Sequence, residues 1–326
     1  SLHKPRRTFV IYKDDADLGK IDEIIHFENR FEIGGKIQNP QDICEILPML
    51  DGYQAVVVSG IEATLRNGIV KACIDKDIDC YFIPHTGDVI ISGAKHIQSF
   101  SVPIMRARRA VLRPEYAFAK RTLDILLATL ALVVASPFMA VTAIAIKLYD
   151  HGPALYKQVR LTKDGREFEI LKFRSMRVDA EKDGVARLAA EHDNRITPVG
   201  KVIRAIRFDE LPQIFNILKG DMSIVGPRPE RPEIAAQYEQ EMPAFSLRLQ
   251  VKAGLTGMAQ VYGKYNTEPR DKLKMDLMYI NDMSLMQDLK LIFATVRILF
   301  MKDSTEGIQQ GQVTASKHEL DSDKSA

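Results

Sequence analysis

The sequence predicts an α/β chain in two parts: a small parallel-sheet domain, then a mainly helical part that meets a membrane. Three observations predict this. Residues from about 8 to 100 alternate β-branched runs with helically spaced ones. The stretch "LDILLATLALVVASPFMAVTAIAIKLY", Leu123–Tyr149, is the most apolar in the chain. After it comes a hairpin pattern and then short, well-capped helices.

In the first part, "TFVIY" (Thr8–Tyr12), "AVVVSG" (Ala55–Gly60), "CYFIP" (Cys80–Pro84) and "DVIIS" (Asp88–Ser92) read as strands. "PQDICEILPML" and "IEATLRNGIVKACIDKD" have helical spacing. This βαβ rhythm predicts a Rossmann-like sheet over residues 1–110. "KDDADLGK" follows Tyr12 in place of a GxGxxG turn, so a structural or regulatory module is favoured over a nucleotide site. The three cysteines, Cys44, Cys73 and Cys80, form no CxxC pair and read as reduced thiols in a cytosolic setting. The net charge of +2 gives no bulk field toward nucleic acid, so the basic residues matter by position. No signal peptide is visible, and the basic start "HKPRR" suggests a cytoplasmic edge.

Leu123–Ile146 as a helix would run roughly 36 Å, against a hydrocarbon core of about 30 Å. Length permits spanning, but charge argues against it. Arg106, Arg108, Arg109, Arg113, Lys120 and Arg121 precede the stretch; Lys147, Lys157, Arg160 and Lys163 follow it. Basic residues prefer the cytoplasmic side, and here both flanks carry them. Pro137 removes a donor to the Val133 carbonyl, and the Ser136 hydroxyl is placed to bond back one turn earlier. A re-entrant helix hairpin over about 117–149, broken at Ser136-Pro137, is the expectation. A kinked spanning helix and a buried core helix are its alternatives.

Downstream, "ALYKQVRLTKDGREFEILKFRSM" predicts a short β-hairpin turning at Asp164-Gly165. "TPVGKVIRAIR" starts a helix with Thr197 as N-cap and Pro198 in its first turn. "ELPQIFNILKG" is a second short helix ended by Gly220. "LKLIFATVRILFMK" suits an in-plane interfacial helix. "FSLRLQVKAG" and "DKLKMDLMYI" fit either that or an ordinary core-facing helix. Residues 303–326 form a polar tail, predicted to be disordered.

Asp209 and Glu210 sit side by side just before a helix, where both carboxylates are expected to stay ionised. An ionised Asp can attack phosphorus or hold a magnesium ion; an ordinary N-cap is the plain alternative. Arg204 precedes the pair. Lys172 and Arg174 alternate on "EILKFRSM", and Arg228 lies between two prolines in "GPRPE". Fixed guanidinium groups recognise phosphate. Carboxylates, arginines and a membrane hairpin together point to phosphate chemistry at a bilayer surface.

"KFRSM", "DNRITPVGKVIR", "FDELPQIFNILKGDMSIVGPRPE" and "GLTGMAQVYG", in this order after an apolar Ser-Pro stretch, resemble the bacterial sugar transferase family. These are monotopic polyprenyl-phosphate phosphoglycosyl transferases, and the likeness covers about 117–300, with a catalytic part over 111–302. The resemblance implies hexose 1-phosphate transfer from a UDP-sugar to undecaprenyl phosphate, with release of UMP, in exopolysaccharide, capsule or O-antigen assembly. Asp209 matches the nucleophile that forms a phosphosugar-aspartyl intermediate; Glu210 matches the second acidic position. Mg2+ is the implied cofactor, with Asp209 its expected ligand. Arg204 and Arg228 match basic positions near the diphosphate, and Lys172 and Arg174 the "KFRSM" pair, phosphate-facing or structural. Ser136-Pro137 matches the break of the re-entrant helix.

The expected partners are UDP-sugar, undecaprenyl phosphate and inner-membrane lipid, with a homodimer allowed and no nucleic acid. The expected location is the cytoplasmic face of the cytoplasmic membrane, in larger members behind upstream transmembrane helices. An N-acetylhexosamine donor, a membrane-bound phosphohydrolase and a non-catalytic scaffold are the rivals. The chain has no tryptophan: Met258 stands where "GWAQ" is usual, with Met283 and Met286 in the late helix. Thr162 stands where a glycine is usual.

Overall fold

The computed structural model describes residues 5–28, 30–97, 104–178, 194–263 and 267–299. The expected disordered tail lies outside the described residues. Two compact units divide the chain, Ser1–His85 and Thr86–Ala326.

The first unit is a parallel sheet in the order β2-β1-β3-β4, with β1 Arg6–Tyr12, β2 Phe31–Gln38, β3 Ala55–Ser59 and β4 Asp79–Phe82. Helices α1 Asp15–Glu28, α2 Ile43–Ile46 and α3 Ala63–Asp75 connect the strands. Every residue of β3 is buried, as a central parallel strand covered on both faces requires. Phe9, Ile11, Val56 and Val58 face α2 and α3; Val10, Tyr12 and Val57 alternate to the other face, against Ile21 of α1. The sequence signals missed β2, whose "FEIGGKIQ" is polar and glycine-broken. The glycines are steric: a β-carbon on Gly35 would lie 2.4 Å from the Tyr53 hydroxyl. The β1–β2 register shifts at this point, between Thr8 and Phe9. At the carboxyl ends of β1 and β3, Asp17 accepts from the Ser59 hydroxyl (2.9 Å), and Asp14 accepts from the Asp17 amide (3.0 Å). The first turn of α1 is therefore acidic, which is unfavourable to a bound phosphate.

The second unit opens with α4 Thr86–Ser92, where a strand is the expectation. A short apolar run does not distinguish strand from helix. Here one side chain, Val89, is buried among Leu277 and Tyr279, and Asn281 donates to the Val89 carbonyl (2.6 Å). A small antiparallel pair follows, β5 Lys95–Ile97 with β6 Ile104–Arg106. Then comes α5, Pro114–Asp150, 37 residues long and apolar enough to cross a membrane by length and composition. The hairpin strands are β7 Leu155–Leu161 and β8 Glu167–Phe173. Their turn places Asp164 (φ 61°) and Gly165 (φ 73°) in the left-handed region, as the Asp-Gly pair predicts. The remaining elements are α6 Pro198–Ala205, α7 Gln213–Lys219, β9 Ser223–Val225, α8 Pro232–Glu241, β10 Gly254–Thr256, α9 Met258–Tyr262, α10 Pro269–Asn281 and α11 Leu285–Leu299. Thr197 caps α6 by accepting from the Gly200 amide (2.9 Å), and Gly220 (φ 95°) ends α7, both as the sequence predicts.

Pro137 lies inside one continuous helix, where the sequence reading expects a break into two arms. The Ser136 hydroxyl donates to the Val133 carbonyl (2.9 Å), replacing the donor that Pro137 lacks. Ala128, Leu132 and Ala135 pack on α7 and β8; Met139, Ala143 and Ile146 pack on α6 and the end of β8. Both halves of α5 thus lie on the same body, while Leu126, Leu130, Val133 and Val141 point outward. The start of the helix is fixed by buried Asp288 of α11, which accepts from Tyr116 (2.9 Å), Lys120 (2.8 Å) and Tyr279 (2.7 Å). Arg121 donates to the Ile217 and Leu218 carbonyls at the end of α7, and Asp124 accepts from Ser223 and the Ile224 amide. "DKLKMDLMYI" and "FSLRLQV" resolve to the core-facing alternative: Leu273, Leu277, Ile280 and Phe245 are buried together. Helix α11 is two-faced, with Leu291 buried and Met286, Phe293 and Val296 exposed.

Candidate active site

The site is assembled by α6, the turn after it, β8 and the loop after β9. Arg204 ends α6, and Arg207 then turns the chain in the left-handed conformation (φ 56°) into a single 3-10 turn, Phe208–Glu210. Asn216 ties α7 to β8: its side chain accepts from the Leu171 amide (2.9 Å) and donates to the Glu169 carbonyl (2.8 Å). That contact sets Lys172 opposite Glu210. Lys172 Nζ and Arg228 Nη2 both donate to Glu210 Oε1, at 3.0 and 2.9 Å. Arg228 and Lys172 hold the Glu210 carboxyl far below the usual carboxylate range, against the opposing effect of burial. Burial lowers the Lys172 pKa, with Glu210 opposing.

Asp209 differs from its neighbour. Among the described residues no side chain donates to its carboxylate, and burial pushes its pKa up, with Lys172, Arg204 and Arg228 pulling it down. The expectation that both carboxylates would be held ionised by a helix end therefore separates into two cases. Glu210 is held ionised by cations; Asp209 is partly buried and has no hydrogen-bond donor among the described residues. A desolvated carboxylate with no donor to satisfy it is a stronger nucleophile than one already bonded.

The structure brings together Lys172, Arg204, Asp209, Glu210 and Arg228. It places Arg174 elsewhere: its guanidinium is buried against Asp150, at the end of α5. The Ser136-Pro137 pair adjoins the turn rather than the carboxylates. Phe138 packs edge-on against Phe208, with ring centroids 6.0 Å apart, and Phe208 directly precedes Asp209. Thr162 is more than a minor change from glycine: its buried hydroxyl donates to the Asp221 carbonyl (2.8 Å) and accepts from the Ala253 amide (3.2 Å). Sequence reasoning also missed Arg160, partly buried, and Arg248, buried, both of which bond carbonyls of the "GPRPE" loop. The signal for Arg248 was a lone charge in the otherwise apolar run "FSLRLQV".

An aspartate with no donor among the described residues, a clamped glutamate and three basic side chains lie together in a body that carries a long apolar helix. The bacterial sugar transferase family matches residues 115–302, and the chain belongs to that family. Among relatives, the chain is 46% identical over 189 residues to an Aeromonas hydrophila protein named UDP-N-acetylgalactosamine-undecaprenyl-phosphate N-acetylgalactosaminephosphotransferase, covering 57% of this chain and 44% of that one. It is 35% identical over 267 residues to an Escherichia coli (strain K12) protein named UDP-glucose:undecaprenyl-phosphate glucose-1-phosphate transferase, covering 80% and 54%. A Caulobacter vibrioides protein of that same name is 41% identical over 190 residues, covering 57% and 71%. The chain spans about half the length of the first two of these relatives.

Proposed function

We propose that this chain transfers a hexose 1-phosphate from a UDP-sugar to undecaprenyl phosphate and releases UMP. The observation that carries the proposal is the unpaired Asp209 carboxylate beside the Lys172–Glu210–Arg228 clamp. A carboxylate oxygen of Asp209 attacks the sugar-linked phosphorus of the donor. The Asp209 O–P bond forms as the bond to the bridging oxygen breaks, and that oxygen leaves with UMP. An oxygen of undecaprenyl phosphate then attacks the same phosphorus and expels the Asp209 carboxylate. Arg204 and Arg228 face the charge that develops on the phosphoryl oxygens. Glu210 fixes Lys172 and Arg228 in place.

Among the described residues no group of three or more metal-ligating side chains forms a cage. That donor set still fits Mg2+, which is commonly held by one or two carboxylates together with substrate phosphates and water. Asp209 is the carboxylate left unpaired for it, and the ion would supply charge neutralisation to the diphosphate.

On this reading α5 sits in one leaflet without crossing it, and the catalytic body stays on the cytoplasmic face. Basic residues on both flanks and the packing of both halves of α5 on one body support this placement. The names of the relatives leave glucose and N-acetylgalactosamine as the leading donor sugars. The test is a panel of UDP-sugars, each with and without undecaprenyl phosphate. For one donor, UMP should be released over many turnovers only when the lipid phosphate is present, with no more than one equivalent per protein in its absence, and Asp209→Asn should abolish both turnover and labelling of the protein by labelled sugar donor. UMP release without acceptor at the full rate would favour a phosphohydrolase. Loss of labelling with full turnover would refute the covalent step.

A further inference from the structure

We infer that Arg248 is a positioning residue for Arg228, acting through the backbone of the loop that carries it. The inference deepens the transferase reading and rests on it, because Arg228 is the group being placed. The Arg228 side chain is nearly half exposed and, among the described residues, has one hydrogen-bonded side-chain partner, Glu210. Glu210 holds the end of the side chain, and where that end can reach depends on how the Arg228 backbone is held.

That backbone cannot hold itself. Pro227 and Pro229 on either side of Arg228 have no N–H to donate. Four successive carbonyls are instead held from outside. The Gly254 amide donates to Pro227 (2.9 Å), and the Leu161 amide donates to Glu230 (3.0 Å). Between them the donors are guanidinium groups: Arg248 Nη2 reaches the Arg228 carbonyl at 2.9 Å, and Arg160 Nη1 reaches the Pro229 carbonyl at 3.1 Å. Arg248 is itself immobilised. It is 6% exposed, donates to Asp276 through Nε (3.0 Å) and Nη2 (2.7 Å), and lies over the Phe245 ring. Asp276 is 1% exposed. A buried ion pair is an unpromising source of stability, since its desolvation offsets its attraction. Here it does something an apolar pair could not: it presents a donor to one carbonyl next to a phosphate-facing arginine.

The experiment is a double-mutant cycle on the full chain in detergent or nanodiscs, using wild type, Arg248→Lys, Arg228→Lys and the double variant. Lysine keeps the charge toward Asp276 but loses the fork that reaches the carbonyl at the same time. Arg248→Lys should lower kcat/KM for UMP release by about tenfold or more when Arg228 is present, as misplacement of a catalytic group does. In the Arg228→Lys background the same change should cost less than about twofold. An equal loss in both backgrounds would mean that Arg248 acts independently of Arg228, and would overturn the inference. No loss in either background would overturn it as well. UDP affinity by calorimetry on the same four proteins should show the same non-additivity. That arm reads the coupling even if no donor supports UMP release, the outcome that would sink the transferase reading alone. If Arg248→Lys does not fold, Arg160→Lys runs the same cycle through the Pro229 carbonyl, and additivity there overturns the inference.

Discussion

Glu210→Gln removes the one charge that Lys172 and Arg228 share. At 3.0 and 2.9 Å, each pair is worth about 5 kcal/mol before solvation is counted, for an effective dielectric near 20. Desolvation returns much of that, and the Arg228 side chain, 46% exposed, is screened enough to discount its half. The larger loss is at Lys172, 20% exposed, which would stay buried without a carboxylate. Breaking a buried pair from one side costs about 3–5 kcal/mol, and Lys172 can relieve part of this by losing its proton. The expected net loss is therefore about 2–3 kcal/mol, which in a unit of this size lowers Tm by roughly 4–12 °C. Thermal unfolding in detergent at neutral pH measures it. The pH dependence has a definite sign. The folded pKa of Glu210 is depressed, so its contribution is present above its ordinary 4.5 and is lost as pH falls toward the folded value. The folded pKa of Lys172 is lowered, so the variant should gain stability as pH rises toward the ordinary lysine value of 10.5. A loss below about 1 kcal/mol, with no alkaline recovery, would refute the reasoning that this clamp is a desolvated one.

Burial raises the Asp209 pKa and the nucleophile must be ionised, so the acid limb of kcat/KM should lie above the ordinary aspartate value of 3.8; a limb at or below 3.8 would contradict it. Arg174→Met should lower Tm, because it leaves Asp150 without its partner, and should leave KM for the UDP-sugar unchanged, in contrast to Arg204→Met, which should raise KM. Ser136→Ala should cost about 1 kcal/mol in wild type, because the Val133 carbonyl loses its donor. In a Pro137→Ala background, where the backbone amide returns, unfolding curves should show no further cost.

Punctuation carried most of what was legible in the sequence. Asp164-Gly165, Thr197-Pro198 and Gly220 each specify a backbone geometry on their own, and each is where the pattern places it. The apolar runs were less informative. "DVIIS" is a helix that packs through Val89 and Ile90 and is held by Asn281, none of which its apolar run announces, and β2 was hidden because its glycines answer to Tyr53 and Phe9, far away in sequence. In the site, Asp209, Glu210, Arg204 and Arg228 could be found from their local setting. Lys172 and Arg174 could not be told apart, because spacing along a strand does not say where each long side chain ends. One reaches Glu210 and the other Asp150. What Arg160 and Arg248 do for the loop was not legible for a related reason: each donates to a backbone carbonyl there, and such a bond leaves no trace in sequence.

Helix α5 is apolar all round, which by itself would suit a membrane span or a core helix equally. Its packing separates the two faces. Ala128, Leu132, Ala135, Met139, Ala143 and Ile146 pack on the catalytic body, the alanines among them letting the backbone approach closely. Leu126, Leu130, Val133 and Val141 cover the outward side. In the proposed placement the helix is a lid on the protein core and a lipid-facing surface at once, and it cannot shift in depth without carrying the body along. Phe138, next to the proline, touches Phe208, next to the nucleophile. In the proposed placement, the depth at which the helix meets Pro137 therefore also sets the depth of Asp209. On the proposed function the site receives a soluble nucleotide sugar and a lipid-borne phosphate, and needs that depth fixed to within a side chain's reach. The Phe138–Phe208 contact supplies a direct mechanical link between the two.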